Sequence, residues 1–160
     1  MQKSSRLSRN GSGRRGKPPV IACGVALIRR ERQFLIAQRS ADDTFGSFWE
    51  FPGGKKMAGE SFEECVVREV AEELGVKVAV EKKFMELEKK YTNRVMRLHF
   101  YLCSHTSGEP RAIECQKVQW TDVMKLKDFK FPPANDVVIK KLMEVVSALG
   151  DFSVAAATSK

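Results

Sequence analysis

Three glutamates, Glu69, Glu72 and Glu73, lie at helical spacing in a stretch that follows a Pro-Gly-Gly turn. Residues three or four apart project from the same face of a helix, so the three carboxylates should stand within one turn of each other. Like charges this close repel unless a cation lies between them, and ligands that offer only oxygen suit Mg²⁺ or Mn²⁺ better than zinc. The spacing therefore indicates a candidate site for a divalent cation of the kind that grips a polyphosphate.

The same stretch also has the features of an ordinary surface helix. Ser61 and Glu64 form a capping-box pattern, and Gly75 follows the last apolar residue as a stop signal. Arg68 lies at ion-pair spacing from Glu64 and Glu72. The face opposite the three glutamates predicts a core-facing stripe, made of Val67, Val70, Ala71 and Leu74. Acidity alone therefore does not separate a metal site from a solvated helix face.

The spacing across a longer stretch separates these two interpretations. Residues 54–76 match the pattern G-x5-E-x7-R-E-U-x-E-E-x-G-U, in which U is a bulky apolar residue, at every specified position. The invariant positions make a chance match at any one starting point improbable, on the order of 10⁻⁸. The stretch resembles the Nudix box, and the matching residues are Gly54, Glu60, Arg68, Glu69, Val70, Glu72, Glu73, Gly75 and Val76.

Segments outside the box resemble the MutT type of Nudix enzyme. They are Gln38-Arg39, residues 48–55 (FWEFPGGK) and residues 131–135 (FPPAN). The resemblance implies an α/β fold, with a mixed β-sheet sandwiched between helices. It also implies hydrolysis of nucleoside triphosphates, notably 8-oxo-dGTP, to the monophosphate and pyrophosphate. That reaction removes a mispairing base from the nucleotide pool and so serves DNA replication and repair.

The resemblance assigns metal and catalytic roles to individual residues. The implied ligands for Mg²⁺, with Mn²⁺ as an alternative ion, are Glu69, Glu72, Glu73, the carbonyl group of Gly53, and Glu114 from a later loop. Arg68 and Glu60 match the pair that steadies the helix and its loop. A carboxylate can also serve as general base, and Glu69 is favoured for this role, with Glu72 and Glu114 as alternatives.

The resemblance also assigns substrate-binding roles. Arg39 matches an arginine that contacts phosphate, and Asn135 matches an asparagine that reads the purine edge, for which an amide suits because it both donates and accepts. Phe51 is expected to serve the core and the substrate pocket together. Structural roles compete with two of these assignments: Asn135 also stands where a helix N-cap is needed, and Arg39 could pair with an acid such as Asp42 or Asp43.

Other functions remain open on particular residues. The loop 44–48 also resembles relatives that cleave cytidine triphosphate, and Asp136-Val137 stands where close MutT relatives often have Glu-Pro. The alternatives are a pyrimidine or broad-specificity (d)NTP pyrophosphatase and an enzyme that removes pyrophosphate from RNA 5′ ends. A non-catalytic nucleotide-binding module on the same scaffold is disfavoured, because such proteins usually lose the acids of the box and this chain has them all.

Composition predicts one globular domain between two tails. At 160 residues, 42% hydrophobic and 30% charged, the chain can bury the core of a single domain. Residues 1–17 are basic and hold no acid, so they account for most of the net charge of +8. We expect a disordered basic tail over residues 1–17, a Nudix hydrolase domain over 18–150 and a frayed C-terminal tail over 151–160. The nearly balanced domain predicts no stable complex with nucleic acid.

The location expected from the sequence is the cytoplasm. The cysteines are scattered without a Cys-x-x-Cys pair, which is typical of reduced thiols. No apolar run approaches the length of a membrane span, and the N-terminus lacks the apolar core of a secretory signal. We expect a monomer whose partner is a nucleoside triphosphate substrate.

Hydrophobic periodicity predicts the elements that must position these residues. The predicted strands cover residues 20–28, 34–37, 49–51, 76–87, 95–103 and 117–120, and the predicted helices cover 61–74 and 136–149. Residues 52–54 are predicted to form a turn between the third strand and the first helix.

Overall fold

The structure, a computed structural model, describes residues 16–149. Its strands and α-helices, in chain order, are β1 Val20–Arg30, β2 Gln33–Gln38, β3 Trp49–Glu50, β4 Gly53–Lys55, α1 Phe62–Leu74, β5 Lys77–Lys90, β6 Val95–Ser107, β7 Lys117–Asp122 and α2 Asp136–Leu149. The tails predicted for residues 1–17 and 151–160 lie outside the described residues, except for Gly16 and Lys17. No helix among the described residues is long and apolar enough to cross a membrane.

The sheet is mixed and has β1 near its centre. Its strand order is β3-β2-β1-β6-β5, with β4 also paired to β1 and β7 paired to β2. β1 runs parallel to β6 along ten residue pairs and antiparallel to its other neighbours. On the side away from β6, β1 pairs with β4 over residues 23–25 and with β2 only at residues 29 and 30. On this edge, β4 and β2 therefore pair with different stretches of β1, and the sheet is open between them.

Two apolar cores confirm that helices cover both faces of the sheet. On one face, α1 buries Val66, Val70 and Leu74 against Ala26 and Ile28 of β1. The core of the other face contains four residues of α2 (Val138, Ile139, Leu142 and Val146) together with side chains of β1, β2 and β6. Because β-strand side chains alternate between faces, each buried strand contributes to both cores. This α/β sandwich is the fold expected from the sequence.

The predicted caps of α1 form, but its buried stripe is rotated from the predicted one. Ser61 Oγ accepts a hydrogen bond from Glu64 N at 3.1 Å, and Gly75 closes the helix with a left-handed φ of 69°. Val67 and Ala71 were predicted to be buried and are exposed, whereas Cys65 and Val66 are buried. The stripe that faces the sheet therefore follows residues 62, 66, 70 and 74, and Glu69 and Glu73 flank it on the sheet side rather than pointing to open solvent.

The prediction of a simple turn at residues 52–54 was wrong. Gly53–Lys55 forms β4, in antiparallel register with Cys23, Gly24 and Val25 of β1. A Cβ atom added at Gly53 would lie 2.3 Å from the Gly24 carbonyl oxygen, so only glycine permits this approach. Sequence periodicity also missed the 3₁₀ helix Val123–Asp128, since its six residues are too few to show a helical repeat.

Candidate active site

The candidate site lies around β4, which is approached by side chains from both faces of the sheet. Glu69 and Glu73 approach β4 from the α1 side, while the side chain of Val25 belongs to the core on the α2 side. Glu73 Oε2 accepts a hydrogen bond from Gly53 N at 3.3 Å. The strand between these groups has no side chain over Gly53 and Gly54, so carboxylates and a substrate can both come close to its backbone.

Gly54 leaves space that the Glu69 carboxylate fills. A Cβ atom added at Gly54 would lie 2.4 Å from the carboxyl carbon of Glu69, which is far inside contact distance. The Glu69 side chain is only 14% exposed, so it has little room to move away. Glycine at this position therefore fixes where the carboxylate stands.

Gly54→Ala is expected to displace the Glu69 carboxylate and reduce kcat about 10-fold or more, since small misplacements of catalytic groups are costly. Steady-state kinetics on the purified variant measures the loss. Gly24→Ala is the matched control, because its added Cβ would meet the Val66 side chain at 2.9 Å and strain the core instead. The idea is wrong if both variants lose stability alike and Gly54→Ala retains full activity.

One guanidinium group connects four residues of the site. Arg68 donates from Nε and Nη2 to the two carboxylate oxygens of Glu60 at 3.0 and 2.7 Å. Its Nη1 donates to Glu69 at 2.8 Å and to Glu72 at 3.2 Å, and Nη2 also reaches the Lys55 carbonyl oxygen. The Arg68–Glu60 pair implied by the resemblance thus forms. Glu64, predicted as a partner of Arg68, instead completes the capping box.

This network shifts the protonation equilibria of its members. The hydrogen bond from Arg68, together with one from Met57 N, lowers the pKa of Glu60 to about 2. In return, the hydrogen bond to Glu60 is the main cause that raises the pKa of Arg68 above its ordinary value. The pair therefore stays charged, and it anchors the loop before α1 to the helix.

Glu73 is the most perturbed acid of the site. Burial is the main cause that raises its pKa to about 8, and the charges of Glu50 and Glu69 add to the effect, while the hydrogen bond from Gly53 opposes it. Burial likewise raises the pKa of Glu50, although Arg39 counteracts it. A crowded, desolvated set of carboxylates at one end of a pocket is typical of a functional site.

The metal-free protein is expected to lose stability as pH rises from about 4.5 to about 8, because folded Glu73 holds a proton that the unfolded chain has released. A divalent cation competes with that proton, so it should raise Tm more at the upper end of this window than at the lower end. Thermal unfolding with and without Mg²⁺ measures both effects. Glu73→Gln should flatten the profile, whereas Glu109→Gln, an exposed loop acid, should leave it unchanged. Unchanged slopes in Glu73→Gln would contradict the assignment.

Glu114 is exposed but tethered to the end of α1. The backbone nitrogen of Ile113 donates to the Glu73 carbonyl oxygen at 3.3 Å, and that of Arg111 donates to the Leu74 carbonyl oxygen at 2.9 Å. The charge of Glu114 is one of the causes that raise the Glu73 pKa. The loop thus holds Glu114 near Glu73, although its predicted role at a metal stays a prediction.

The chemistry of the donor set fits a hard divalent cation. The predicted ligands offer carboxylate or carbonyl oxygen, and Glu69 and Glu72 already converge on one nitrogen of Arg68. Within the described residues, no three acidic, histidine or cysteine side chains stand in a finished metal-ligand arrangement. Arg68 uses one oxygen of each carboxylate, Oε1 of Glu69 and Oε2 of Glu72, so the second oxygen of each can serve an ion.

A cavity of about 220 Å³ adjoins the acids on the α2 side of the sheet. It brings together all three residues predicted to bind substrate, Arg39, Phe51 and Asn135, and places them beside Gly53 and Gly54. Its remaining walls are mostly apolar and come from Cys23, Val25, Met96, Leu98, Phe100 and Pro132, and Glu50 is the one acid among the residues that line it. An apolar pocket with few polar groups suits a flat, partly polar ring.

The sequence left a structural alternative open for each of two pocket residues, Arg39 and Asn135. Arg39 pairs with Glu50 at 2.7 Å rather than with Asp42 or Asp43. The Asn135 side chain donates from Nδ2 to the Pro132 carbonyl oxygen at 3.4 Å, within a short 3₁₀ helix that precedes α2, and no capping bond from it to α2 is found in the described residues. Its position in the pocket wall is therefore not explained by capping.

A larger groove of about 750 Å³ lies between α2 and the 3₁₀ helix Val123–Asp128. It contains none of the candidate site residues, and its lining is mainly apolar. Size alone would favour it, but Arg39, Phe51, Asn135 and the glycines of β4 all line the smaller cavity.

Comparison with known proteins gives a family match. A family model described as a NUDIX domain matches residues 24–141, a range that includes every candidate site residue. An 8-oxo-dGTP diphosphatase of Escherichia coli (strain K12) is 40% identical over 123 residues, or 76% of this chain and 95% of that protein. A CTP pyrophosphohydrolase of the same strain is 29% identical over 81% of this chain and 96% of its own length. The solution structure of the E. coli ORF135 protein superposes with a TM-score of 0.72 at 28% identity, covering 82% of this chain and 94% of that one.

Proposed function

The chain belongs to the Nudix family of hydrolases, which act on phosphoanhydride bonds, and we propose that it hydrolyses an oxidised purine dNTP such as 8-oxo-dGTP to the monophosphate and pyrophosphate. This is the MutT-like sanitation of the nucleotide pool. The observation that carries the proposal is the cavity that joins Asn135 and Phe51 to Arg39 and to the glycine strand beside the acids.

The cavity supports a binding mode with the base at one end and the phosphates at the other. The base would pack in the apolar part beside Phe51, with the Asn135 amide at its polar edge. The phosphates would extend past Arg39 towards Gly53 and Gly54, where backbone can approach closely. A cavity of about 220 Å³ accommodates a base, while the triphosphate occupies the open end.

The box carboxylates support the chemistry of hydrolysis. Nudix hydrolases need a divalent metal, and we propose Mg²⁺, with Mn²⁺ as a substitute, held by Glu69, Glu72, Glu73, Glu114 and the Gly53 carbonyl group. When bound, the ion supplies charge neutralisation at the phosphate oxygens and activation of water. Glu69 would take the proton from the attacking water. The oxygen of that water would bond to phosphorus as the P–O bond of the anhydride breaks, which gives the monophosphate and pyrophosphate. Glu72 and Glu114 are alternatives for this base.

We further propose the bounds of the hydrolase domain, its oligomeric state, its location and its partners. We expect the folded hydrolase domain to span residues 18–150, to act as a monomer in the cytoplasm and to form no stable complex with nucleic acid. The six basic residues before position 18 would then contribute little to the reaction. Removal of residues 1–17 with unchanged turnover would support this division.

A pyrimidine triphosphate is the second candidate substrate. The similarity to the CTP pyrophosphohydrolase covers nearly the whole of that protein, and the loop 44–48 resembles enzymes of that specificity. The pocket offers a single amide, Asn135, as a neutral polar reader, and an amide can satisfy either kind of base.

A nucleotide panel with Mg²⁺ distinguishes the two candidates. Release of pyrophosphate from 8-oxo-dGTP, dGTP, dCTP and CTP is compared as kcat/KM. The proposal expects 8-oxo-dGTP to be preferred, with the preference reduced in Asn135→Ala. Equal turnover of CTP and 8-oxo-dGTP would overturn the assigned specificity.

A further inference from the structure

Glu50 is a partly buried acid in the pocket wall to which the family pattern gave no role. It lies on β3, lines the cavity, and has a side chain that is only 33% exposed. Its Oε2 accepts a hydrogen bond from Arg39 Nη1 at 2.7 Å. Removing a carboxylate from water is costly unless a partner compensates its charge. The pairing of Glu50 with Arg39 therefore needs an explanation other than that of a solvated surface acid.

The backbone of Arg39 is already fixed by its neighbours. Arg39 N donates to the Phe48 carbonyl oxygen at 2.8 Å. The Arg39 carbonyl oxygen accepts from Ser47 N and from the Gln116 side chain at 2.7 Å. The remaining freedom therefore lies in the long side chain, which has several rotatable bonds.

Two acceptors remove that freedom from the guanidinium group. Arg39 Nε donates to the Thr44 carbonyl oxygen at 2.9 Å, and Nη1 donates to Glu50. Because the group is planar, contacts at Nε and Nη1 fix the plane and the direction of the third nitrogen, Nη2. These two bonds leave Nη2 for another acceptor in the cavity that both residues line.

We propose that Glu50 is a positioning residue that holds Arg39 so that Nη2 is presented to a phosphate oxygen of the bound nucleotide. The inference rests on the proposed function, because it takes the phosphate to be that of a nucleoside triphosphate. Glu50 itself accepts from the arginine and does not touch the substrate. Orienting the arginine before binding lowers the entropy that the phosphate contact must otherwise overcome.

A double-mutant cycle tests this action through Arg39. Glu50→Ala should raise the KM for the nucleotide about 10-fold and leave kcat nearly unchanged, since it removes binding rather than chemistry. Glu50→Gln should lose less, because its side-chain oxygen can still accept from Arg39. In an Arg39→Ala background, Glu50→Ala should change KM by less than about twofold, because contacting residues that act as a unit are not additive.

The control and the contradicting results are defined by the same variants. Glu81→Ala removes a comparably half-buried carboxylate from another arginine pair, Arg29–Glu81 at 2.6 Å, and should leave KM unchanged. Additive losses in the double variant, or a shift in the metal concentration needed by Glu50→Ala, would overturn the positioning role.

A binding measurement separates this inference from the proposed function. Calorimetric titration with inorganic tripolyphosphate applies the same cycle without any turnover. If the wild-type protein hydrolyses none of the nucleotides but the cycle in affinity remains non-additive, the proposed function fails and the positioning role stands. If tripolyphosphate binding is unaffected by Glu50→Ala while Arg39→Ala weakens it, the positioning role is wrong.

Discussion

Glu72→Gln is expected to lower kcat about 10³-fold while the protein stays folded. Glu72 is half exposed, and within the described residues its side chain makes one hydrogen bond, at 3.2 Å to Arg68 on the helix surface. A surface pair at this spacing contributes roughly 0.3–0.5 kcal/mol, so the free energy of unfolding should change by less than about 1 kcal/mol. Its carboxylate charge, however, belongs to the set that is proposed to hold the divalent cation, and glutamine cannot replace that charge.

Steady-state kinetics and urea unfolding, measured on the same preparation, separate the two effects. Glu63→Gln is the matched control, since Glu63 is an exposed acid in the first turn of the same helix. It should keep kcat within about twofold, because a surface charge in the first turn affects little beyond the helix end. Near-normal turnover in Glu72→Gln would overturn the metal assignment of the helix.

Arg68→Lys is expected to lower kcat/KM about 10²-fold although it preserves the charge, because a small misplacement of catalytic groups has effects of this size. The guanidinium group contacts both oxygens of Glu60 while its third nitrogen reaches Glu69. An ammonium group is a point donor and cannot hold these directions together. The loop before α1 and the Glu69 carboxylate would then lose their common anchor.

The variant should also be less stable, with a lower Tm, because Glu60 and Glu69 are both nearly enclosed at 13% and 14% exposure. Arg97→Lys provides a control, since Arg97 is exposed and its ion pair is a long 3.6 Å contact to exposed Glu88. Full activity in Arg68→Lys would mean that charge alone suffices and that the fork geometry has no role.

The sequence predicted the helix of the site well because its signals are local. Ser61 and Glu64 cap the first turn of the helix, Gly75 ends its last turn, and both caps form as expected. The α/β sandwich was also predicted, through the family resemblance. The rotation of the buried stripe was not, since Val66 and Val67 are equally apolar and only the position of the sheet decides which of them is buried.

Contacts between distant segments were the part that the sequence could not provide. Gly53 and Gly54 were predicted to form a turn, yet they pair with β1 over residues 23–25, on the edge of β1 that faces away from β6. The partner of Arg39 is Glu50, brought beside it by the pairing of β2 with β3, rather than an acid nearer in sequence. Glu50 lies within the segment 48–55 that resembles MutT-type enzymes. An acidic residue among the apolar residues of this segment was the signal that could have revealed its role.

The proposed hydrolysis is tested most directly by identifying the products of the wild-type protein with Mg²⁺ by ³¹P NMR. With 8-oxo-dGTP as substrate, we expect the nucleoside monophosphate and pyrophosphate in equal amounts, and loss of both in Glu72→Gln. Release of orthophosphate with the nucleoside diphosphate, or intact substrate after prolonged incubation of a folded protein, would contradict it.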